Sequence, residues 1–201
     1  MVRQATLQDM PIVAGIHKKI FSDHFIGMLP TYLISRFYSR YLKKENVFLV
    51  CEDGNGEILG FVMGGGAHQL SECQKSFLKK NFVFLMFHII VTPKIYPLFL
   101  TNLKMMVRNI LFSPKKNKPK TSSHCRFRLL SIGVQNKSKG KGIAQQLLLH
   151  FEETLIVRNV YNYGLSVKIS NERAVNFYQK SDFLIENKTN SELYFCKTMK
   201  E

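Results

Sequence analysis

Acidic residues are scarce in this sequence, which has 14 Asp and Glu against 29 Lys and Arg. The resulting formal net charge of +15 at pH 7 attracts anions, so the expected partners are phosphorylated molecules, nucleic acids or anionic membrane surfaces. A hydrophobic share of 45% excludes a disordered chain, because it supplies enough apolar surface for a core. From the length of 201 residues we expect one domain, residues 1–201.

Cysteine is equally scarce, and its spacing excludes the common metal and redox motifs. The four cysteines are Cys51, Cys73, Cys125 and Cys196, with no C-x-x-C pair and no metal-ligand spacing. We therefore interpret them as reduced side chains of the core and expect no metal. Residues 1–4 lead into a polar segment instead of a signal-peptide core, which favours a cytoplasmic location.

Long hydrophobic runs are absent as well. Residues 82–91 are apolar on every side, but about ten residues are too few for a bilayer, which needs roughly 20. Pro93 and Pro97 divide the segment 67–125 into at least two helices. The second helix carries an apolar stripe of Leu98, Leu100, Leu103, Met106, Val107 and Ile110, and a basic loop follows at residues 115–120.

Apolar residues at helical spacing predict two helices near the start of the chain. Thr6 and Asp9 stand where a capping box would begin the first helix, whose apolar face starts at Met10. The second helix follows Pro30, and the residues between the two helices have no clear period. We therefore expect a loop around residues 21–25.

The rest of the sequence predicts a sheet. Two apolar runs, residues 47–51 and 58–63, flank a Gly- and Asn-containing turn and form a hairpin, whose second strand we expect to end at the three glycines 64–66. The last third alternates strand and helix, at residues 126–134, 143–158, 165–169 and 171–180, and finishes with strands at 183–185 and 193–196. This order predicts an α/β fold with parallel pairing near the middle of the sheet.

A glycine-containing loop joins the strand at 126–134 to the next helix. Its residues are Lys139, Gly140, Lys141, Gly142, Ile143 and Ala144. Glycine lets the backbone turn sharply and approach a ligand closely, and the first N–H groups of a helix lack intrahelical acceptors. With the positive end of the helix dipole and two lysines, the loop is a predicted anion site. Alone, the pattern also fits an ordinary tight turn.

Two motifs together resemble the GNAT superfamily of acetyl-CoA-dependent N-acetyltransferases. Lys139, Gly142 and Ala144 stand at the defining positions of its motif A, Q/R-x-x-G-x-G/A, with Lys in place of Gln or Arg. Residues 171–183 resemble motif B, N-x-x-A-x-x-F/L-Y followed by G-F. Here Asp182 replaces the glycine, and Asp tolerates the left-handed backbone that this turn requires.

The resemblance implies a GNAT fold: a central mixed, twisted sheet with splayed middle strands, flanking helices, and a helical insertion between strands 3 and 4. It implies acetyl-CoA as co-substrate, with no metal, and its pyrophosphate over residues 139–144. The coenzyme-facing backbone is then Ile132, Gly133 and Val134. Asn171 would contact coenzyme A or serve only as a helix N-cap, and Tyr178 would be the general acid or a packed aromatic.

Neither the general base nor the acceptor is evident from the sequence. Asp23, His24, Glu52 and His68 are candidate bases, and water could also carry the proton. The positive charge favours a small anionic amine, and a looser resemblance to bacterial surface-polysaccharide enzymes suggests an amino sugar on a nucleotide or lipid diphosphate.

Three alternatives remain open at this point: acetylation of protein lysines or N-termini, acyl-CoA binding without turnover, and nucleic-acid binding. The last lacks any recognisable motif. For the insertion, two interpretations compete. It either extends the core or a dimer interface, or forms a lid that touches an anionic membrane.

Overall fold

The computed structural model describes residues 1–92 and 125–200. Its strands are β1 (Val2–Gln4), β2 (Val47–Glu52), β3 (Ile58–Gly66), β4 (Phe127–Val134), β5 (Asn162–Lys168), β6 (Leu184–Lys188) and β7 (Glu192–Thr198). They form one sheet in the order β1-β2-β3-β4-β5-β7-β6. Neighbouring strands are antiparallel, except that β4 and β5 are parallel. The predicted mixed sheet with central parallel pairing is confirmed.

Helices cover both faces of this sheet. They are α1 (Met10–Ile20), α2 (Phe25–Met28), α3 (Thr31–Ser39), α4 (Ala67–Val91), α5 (Ile143–Val157) and α6 (Glu172–Lys180). Side chains of β2 alternate between two cores, as a strand requires. Phe48 and Val50 pack with α1, α3 and α4, whereas Val47 and Leu49 share a core with α5 and with Tyr178 of α6. We call the side of the sheet that packs against α1, α3 and α4 the α1 face.

The start of the chain differs from the sequence prediction. Asp9 accepts a hydrogen bond from the backbone N–H of Thr6 at 2.7 Å, as the capping box predicts, and also binds Arg3 at 2.8 Å. A short 3₁₀ turn, Leu7–Asp9, then leads into α1. The strand β1 precedes this turn. It is not predicted from the sequence, because such a short strand depends on pairing with the distant β2.

The strand β3 ends at Gly66, as expected from the three glycines at residues 64–66, and all three of them are paired residues of the strand. They pair with Leu129, Arg128 and Phe127 of β4. Their small size lets other groups approach the strand: a Cβ on Gly64 would lie only 2.6 Å from the ring of Phe151. The helix α4 starts directly after Gly66.

The insertion and the cysteines bring two further outcomes. The helix α4 ends at Val91, before Pro93, as predicted, while the predicted second helix and the basic loop lie outside the described residues. None of the helices at residues 1–92 and 125–200 is long and apolar enough to cross a membrane.

Cys125 and Cys196 form a disulfide, so the expectation of four reduced cysteines is wrong for this pair. Cys51 and Cys73 form no disulfide and are buried.

The two parallel strands β4 and β5 pair only at their beginnings. Their ladder consists of Phe127 with Tyr163 and Arg128 with Gly164. Beyond this point β4 stays paired with β3 as far as Val134, with a bulge at Leu130. The opposite edge of β4 therefore has no ladder partner among the described residues. This divergence of the middle strands is the splay that the resemblance implied.

Candidate active site

The loop after β4 has the backbone geometry of an anion site. Gly140 and Gly142 have φ angles of +80° and +75°, in the left-handed region that side chains disfavour. Gly142 is the N-cap of α5, and apart from the adjacent residues no heavy atom of the described residues lies within 4 Å of a Cβ built on either glycine. Open space therefore faces the chain at both glycines, which a ligand can approach to backbone distance.

Donor groups of this loop are free. Within the described residues, the backbone N–H groups of Gly142, Ile143 and Ala144 have no backbone acceptor. They lie at the positive end of a 15-residue helix, and Lys139 and Lys141 are exposed beside them. These residues fit a pyrophosphate, since both dipole and whole charges favour an anion.

The free edge of β4 leads directly to this loop. Ile132, Gly133 and Val134 precede it, and their strand pairs with β3 on one side only. Unpaired main-chain groups on such an edge can bind an extended ligand as an added strand does. A coenzyme whose pyrophosphate occupies the loop can thus extend its pantetheine arm into the splay.

The helix α6 presents the two remaining predicted residues. Asn171 is its N-cap and accepts a hydrogen bond from the backbone N–H of Ala174 at 3.2 Å, so its structural role is present. A coenzyme contact by Asn171 stays a prediction. The turn after α6 has Asp182 at φ 64°, the left-handed backbone expected for the position.

Tyr178 is buried, with 5% of its surface exposed, and its ring packs on Phe183 and Phe195. Its hydroxyl makes no hydrogen bond with any residue in the described part of the chain. Burial raises the pKa of this hydroxyl, so it stays protonated and able to donate. This environment suits both a general acid and a packed aromatic.

Two candidate bases lie in the loop between α1 and α2. Asp23 accepts a hydrogen bond from Lys168, at the end of β5, at 2.9 Å, and this bond lowers the pKa of Asp23. The pKa of the half-buried His24 is lowered, first by desolvation and then by Lys168, while Asp23 and Glu192 raise it. His24 is therefore largely uncharged near neutral pH.

The other two candidates are poorly placed. Glu52 accepts a hydrogen bond from Arg3 at 2.7 Å on β2, which β3 separates from β4. His68 is exposed at the start of α4. Among residues 1–92 and 125–200, no cluster of three or more His, Cys, Asp and Glu side chains could hold a metal ion.

The α1 face also carries a hydrogen-bonded chain of side chains that is not evident from the sequence. His17 Nδ1 lies 2.6 Å from the hydroxyl oxygen of Tyr38, which lies 3.2 Å from Oγ of Ser131 on β4. These residues are separated by 21 and 93 positions, so no local pattern links them. The Asp23–Lys168 pair, 145 positions apart, is not evident from the sequence for the same reason.

Comparison with known proteins agrees with this geometry. Residues 111–183 match the model of the Acetyltransferase (GNAT) family. No curated protein sequence matches the chain.

Solved structures with the same fold cover nearly the whole chain. SsHAT has a TM-score of 0.67 at 16% identity, over 100% of this chain and 98% of its own. Ribosomal-protein-alanine N-acetyltransferase from Brucella melitensis has a TM-score of 0.60 at 13% identity, over 99% of both chains. PaiA N-acetyltransferase from Thermoplasma acidophilum, solved with coenzyme A, has a TM-score of 0.56 at 14% identity, over 98% of both chains.

The sheet with splayed middle strands, the glycine loop at the start of α5 and the family match point to one enzyme class. Residues 111–183 match the GNAT family of acetyltransferases, and the chain has the fold of structures named N-acetyltransferases, one of which was solved with coenzyme A.

Proposed function

We propose that this enzyme acetylates a primary amine of a small anionic acceptor, an amino sugar carried on a nucleotide or lipid diphosphate. The observation that carries the proposal is the Asp23–Lys168 hydrogen bond of 2.9 Å. It ties the loop between α1 and α2 to the end of β5, so the loop crosses the splay on the α1 face. A small acceptor fits beneath such a tether more readily than a polypeptide does, and the net charge of +15 attracts its phosphates.

The residues of the site have separate roles in this proposal. Residues 139–144 hold the pyrophosphate, and residues 132–134 hold the pantetheine arm, which presents an acetyl thioester. Tyr178 donates a proton to the departing thiolate. His24, uncharged near neutral pH, is the best placed of the four candidate bases and accepts the amine proton directly or through water.

A protein N-terminus or lysine is the second candidate acceptor. The observation in its favour is that structures of the same fold include a ribosomal-protein-alanine N-acetyltransferase. Fold similarity alone does not transfer a substrate, because one fold serves many acceptors. The tethered loop and the 25-residue helix α4 argue for the smaller acceptor.

A thiol-release assay with a panel of acceptors separates these proposals. UDP-glucosamine, free glucosamine, a lysine-containing peptide and a peptide with N-terminal alanine are each added to enzyme and acetyl-CoA. We expect the highest kcat/KM with UDP-glucosamine, and no release above background with UDP-N-acetylglucosamine, whose amine is already blocked. A higher kcat/KM with either peptide would contradict the small-acceptor proposal.

We also propose that residues 1–201 form one acetyltransferase domain, and that the enzyme is cytoplasmic with peripheral membrane contact. The support for membrane contact is the exposed apolar surface of α4. Four of its side chains, Phe82, Val83, Phe84 and Phe87, are each at least half exposed. A homodimer interface over this surface is the alternative.

A further inference from the structure

Three side chains on the α1 face of the sheet form a continuous hydrogen-bonded chain that ends at the splay. His17 and Tyr38 are buried, at 7% and 0% exposed, and their contact measures 2.6 Å. Ser131 is partly exposed at the end of the chain, 3.2 Å from Tyr38. A buried polar chain that leads to one accessible hydroxyl is suited to fixing the direction in which that hydroxyl points.

The direction of this chain follows from burial. Desolvation lowers the pKa of His17 to about 4, so the ring is neutral near pH 7 and only one of its nitrogens carries a proton. Nε2 is buried and has no hydrogen-bond partner among residues 1–92 and 125–200. A buried N–H without an acceptor is rarer and costlier than a buried lone pair without a donor, so the proton belongs on Nδ1.

With the proton on Nδ1, each member of the chain donates to the next. His17 donates to the oxygen of Tyr38, and the Tyr38 hydroxyl donates to Oγ of Ser131. The hydroxyl hydrogen of Ser131 is then free for a group outside the chain.

Ser131 occupies the part of β4 where the reaction belongs. It follows the bulge at Leu130, pairs with Met63 on the β3 side, and lies beyond Arg128, the last residue paired with β5. Its contact with Tyr38 places it on the α1 face, the side that the loop carrying Asp23 and His24 covers. Coenzyme along the edge of β4 and acceptor beneath that loop would meet next to Ser131.

We propose that Ser131 is a catalytic residue that donates a hydrogen bond to the acetyl carbonyl oxygen, where negative charge develops during attack by the amine. Tyr38 and His17 are positioning residues that fix its hydroxyl. A donor held in place before the reaction stabilises such charge without reorganising. The proposal rests on the coenzyme position given above and is independent of the acceptor's identity.

Infrared difference spectroscopy of acetyl-CoA labelled with ¹³C at the carbonyl tests this contact without any acceptor. In the wild-type complex we expect the carbonyl stretch to lie at lower frequency than in water-free solvent. The shift should diminish in Ser131→Ala and persist in Ser131→Thr, which keeps the hydroxyl. An unchanged carbonyl stretch in Ser131→Ala, with acetyl-CoA still bound, would overturn the proposal.

Kinetics give a second readout, with a matched control for Tyr38. Ser131→Ala should lower kcat roughly 10²-fold with little change in the KM for acetyl-CoA, as for loss of one donor to an oxyanion. Tyr38→Phe should lower kcat by a smaller factor. Tyr41→Phe removes a hydroxyl from an equally buried ring that does not belong to the hydrogen-bonded chain, so it should leave kcat unchanged. Equal effects of Tyr38→Phe and Tyr41→Phe would contradict the positioning role.

The ¹⁵N spectrum of the His17 ring tests the direction of the chain in the enzyme without ligand. We expect a protonated Nδ1 and an unprotonated Nε2. The opposite assignment would turn the chain around and overturn the donor role of Ser131. Because this spectrum and the infrared measurement need no acceptor, failure of the amino-sugar proposal would leave both results interpretable.

Discussion

Replacing Gly142 by valine should greatly weaken coenzyme binding while leaving the enzyme folded. At φ +75° an L side chain is disfavoured by about 1–2 kcal/mol. In a domain of this size each kcal/mol of lost stability lowers Tm by roughly 2–4 °C, so the substituted enzyme should stay folded. Binding should suffer more. A hydrogen bond to a charged group contributes about 1.5–3 kcal/mol, so losing two from the loop weakens Kd about 10²–10⁴-fold.

Gly56 supplies the matched control for this substitution. It lies in the turn between β2 and β3 with φ +79°, and apart from its chain neighbours no heavy atom of residues 1–92 or 125–200 lies within 4 Å of a built Cβ. Gly56→Val should therefore lower Tm by a similar amount and leave the Kd for acetyl-CoA unchanged. Calorimetric titration measures Kd, and thermal unfolding measures Tm. A wild-type Kd for Gly142→Val, at a Tm equal to that of Gly56→Val, would refute the pyrophosphate assignment.

Three further predictions concern chemistry, pH and membranes. Tyr178→Phe should slow single-turnover acetyl transfer roughly 10²–10⁴-fold with little change in coenzyme affinity, whereas unchanged rates would make the hydroxyl structural only. The hydrogen bond from Arg3 lowers the pKa of Asp9, so Asp9 stabilises the fold above its unfolded pKa of about 3.9, and this stabilisation disappears as the pH falls through the lower folded pKa. The difference in free energy of unfolding between wild type and Asp9→Asn, from urea titrations, should thus be larger at pH 7 than at pH 3, and a constant difference would contradict the ion pair's role. In sedimentation assays the enzyme should bind anionic vesicles at low salt and less at high salt, and absence of binding would favour the core or dimer interpretation of α4.

Local signals in the sequence account for what could be predicted. The glycines of the loop indicate a backbone conformation that few other residues tolerate, and φ is positive at Gly140 and Gly142. The positive φ at Asp182 is expected only from the resemblance to motif B, in which a glycine stands at this position. The alternation of strand and helix predicts the parallel pair β4–β5. The separation of these two strands is predicted only by the family resemblance. Neither the bulge at Leu130 nor the short ladder leaves a pattern in composition or spacing.

Contacts between distant residues account for what could not be predicted. Strand β1 forms by pairing with the edge of β2. Residues 64–66 remain paired in β3, where the absence of a side chain on Gly64 lets the ring of Phe151 and the backbone of β4 pack closely. The chain from His17 to Ser131 and the Asp23–Lys168 pair join segments that meet only in the folded sheet. A single sequence does not reveal such pairs, since each residue type has common structural roles by itself.

A crystal structure of the enzyme with coenzyme A would show whether residues 139–144 bind the pyrophosphate. We predict that the pyrophosphate accepts hydrogen bonds from the backbone N–H groups of residues 142–144, and that the pantetheine arm lies along the free edge of β4 with its sulfur near Tyr178. A cavity of about 480 Å³ lies elsewhere, between α1 and the residues that follow β4, and Lys19 and Lys137 are among the residues that line it. Coenzyme bound there, with the loop at residues 139–144 making no contact to phosphate, would contradict the account.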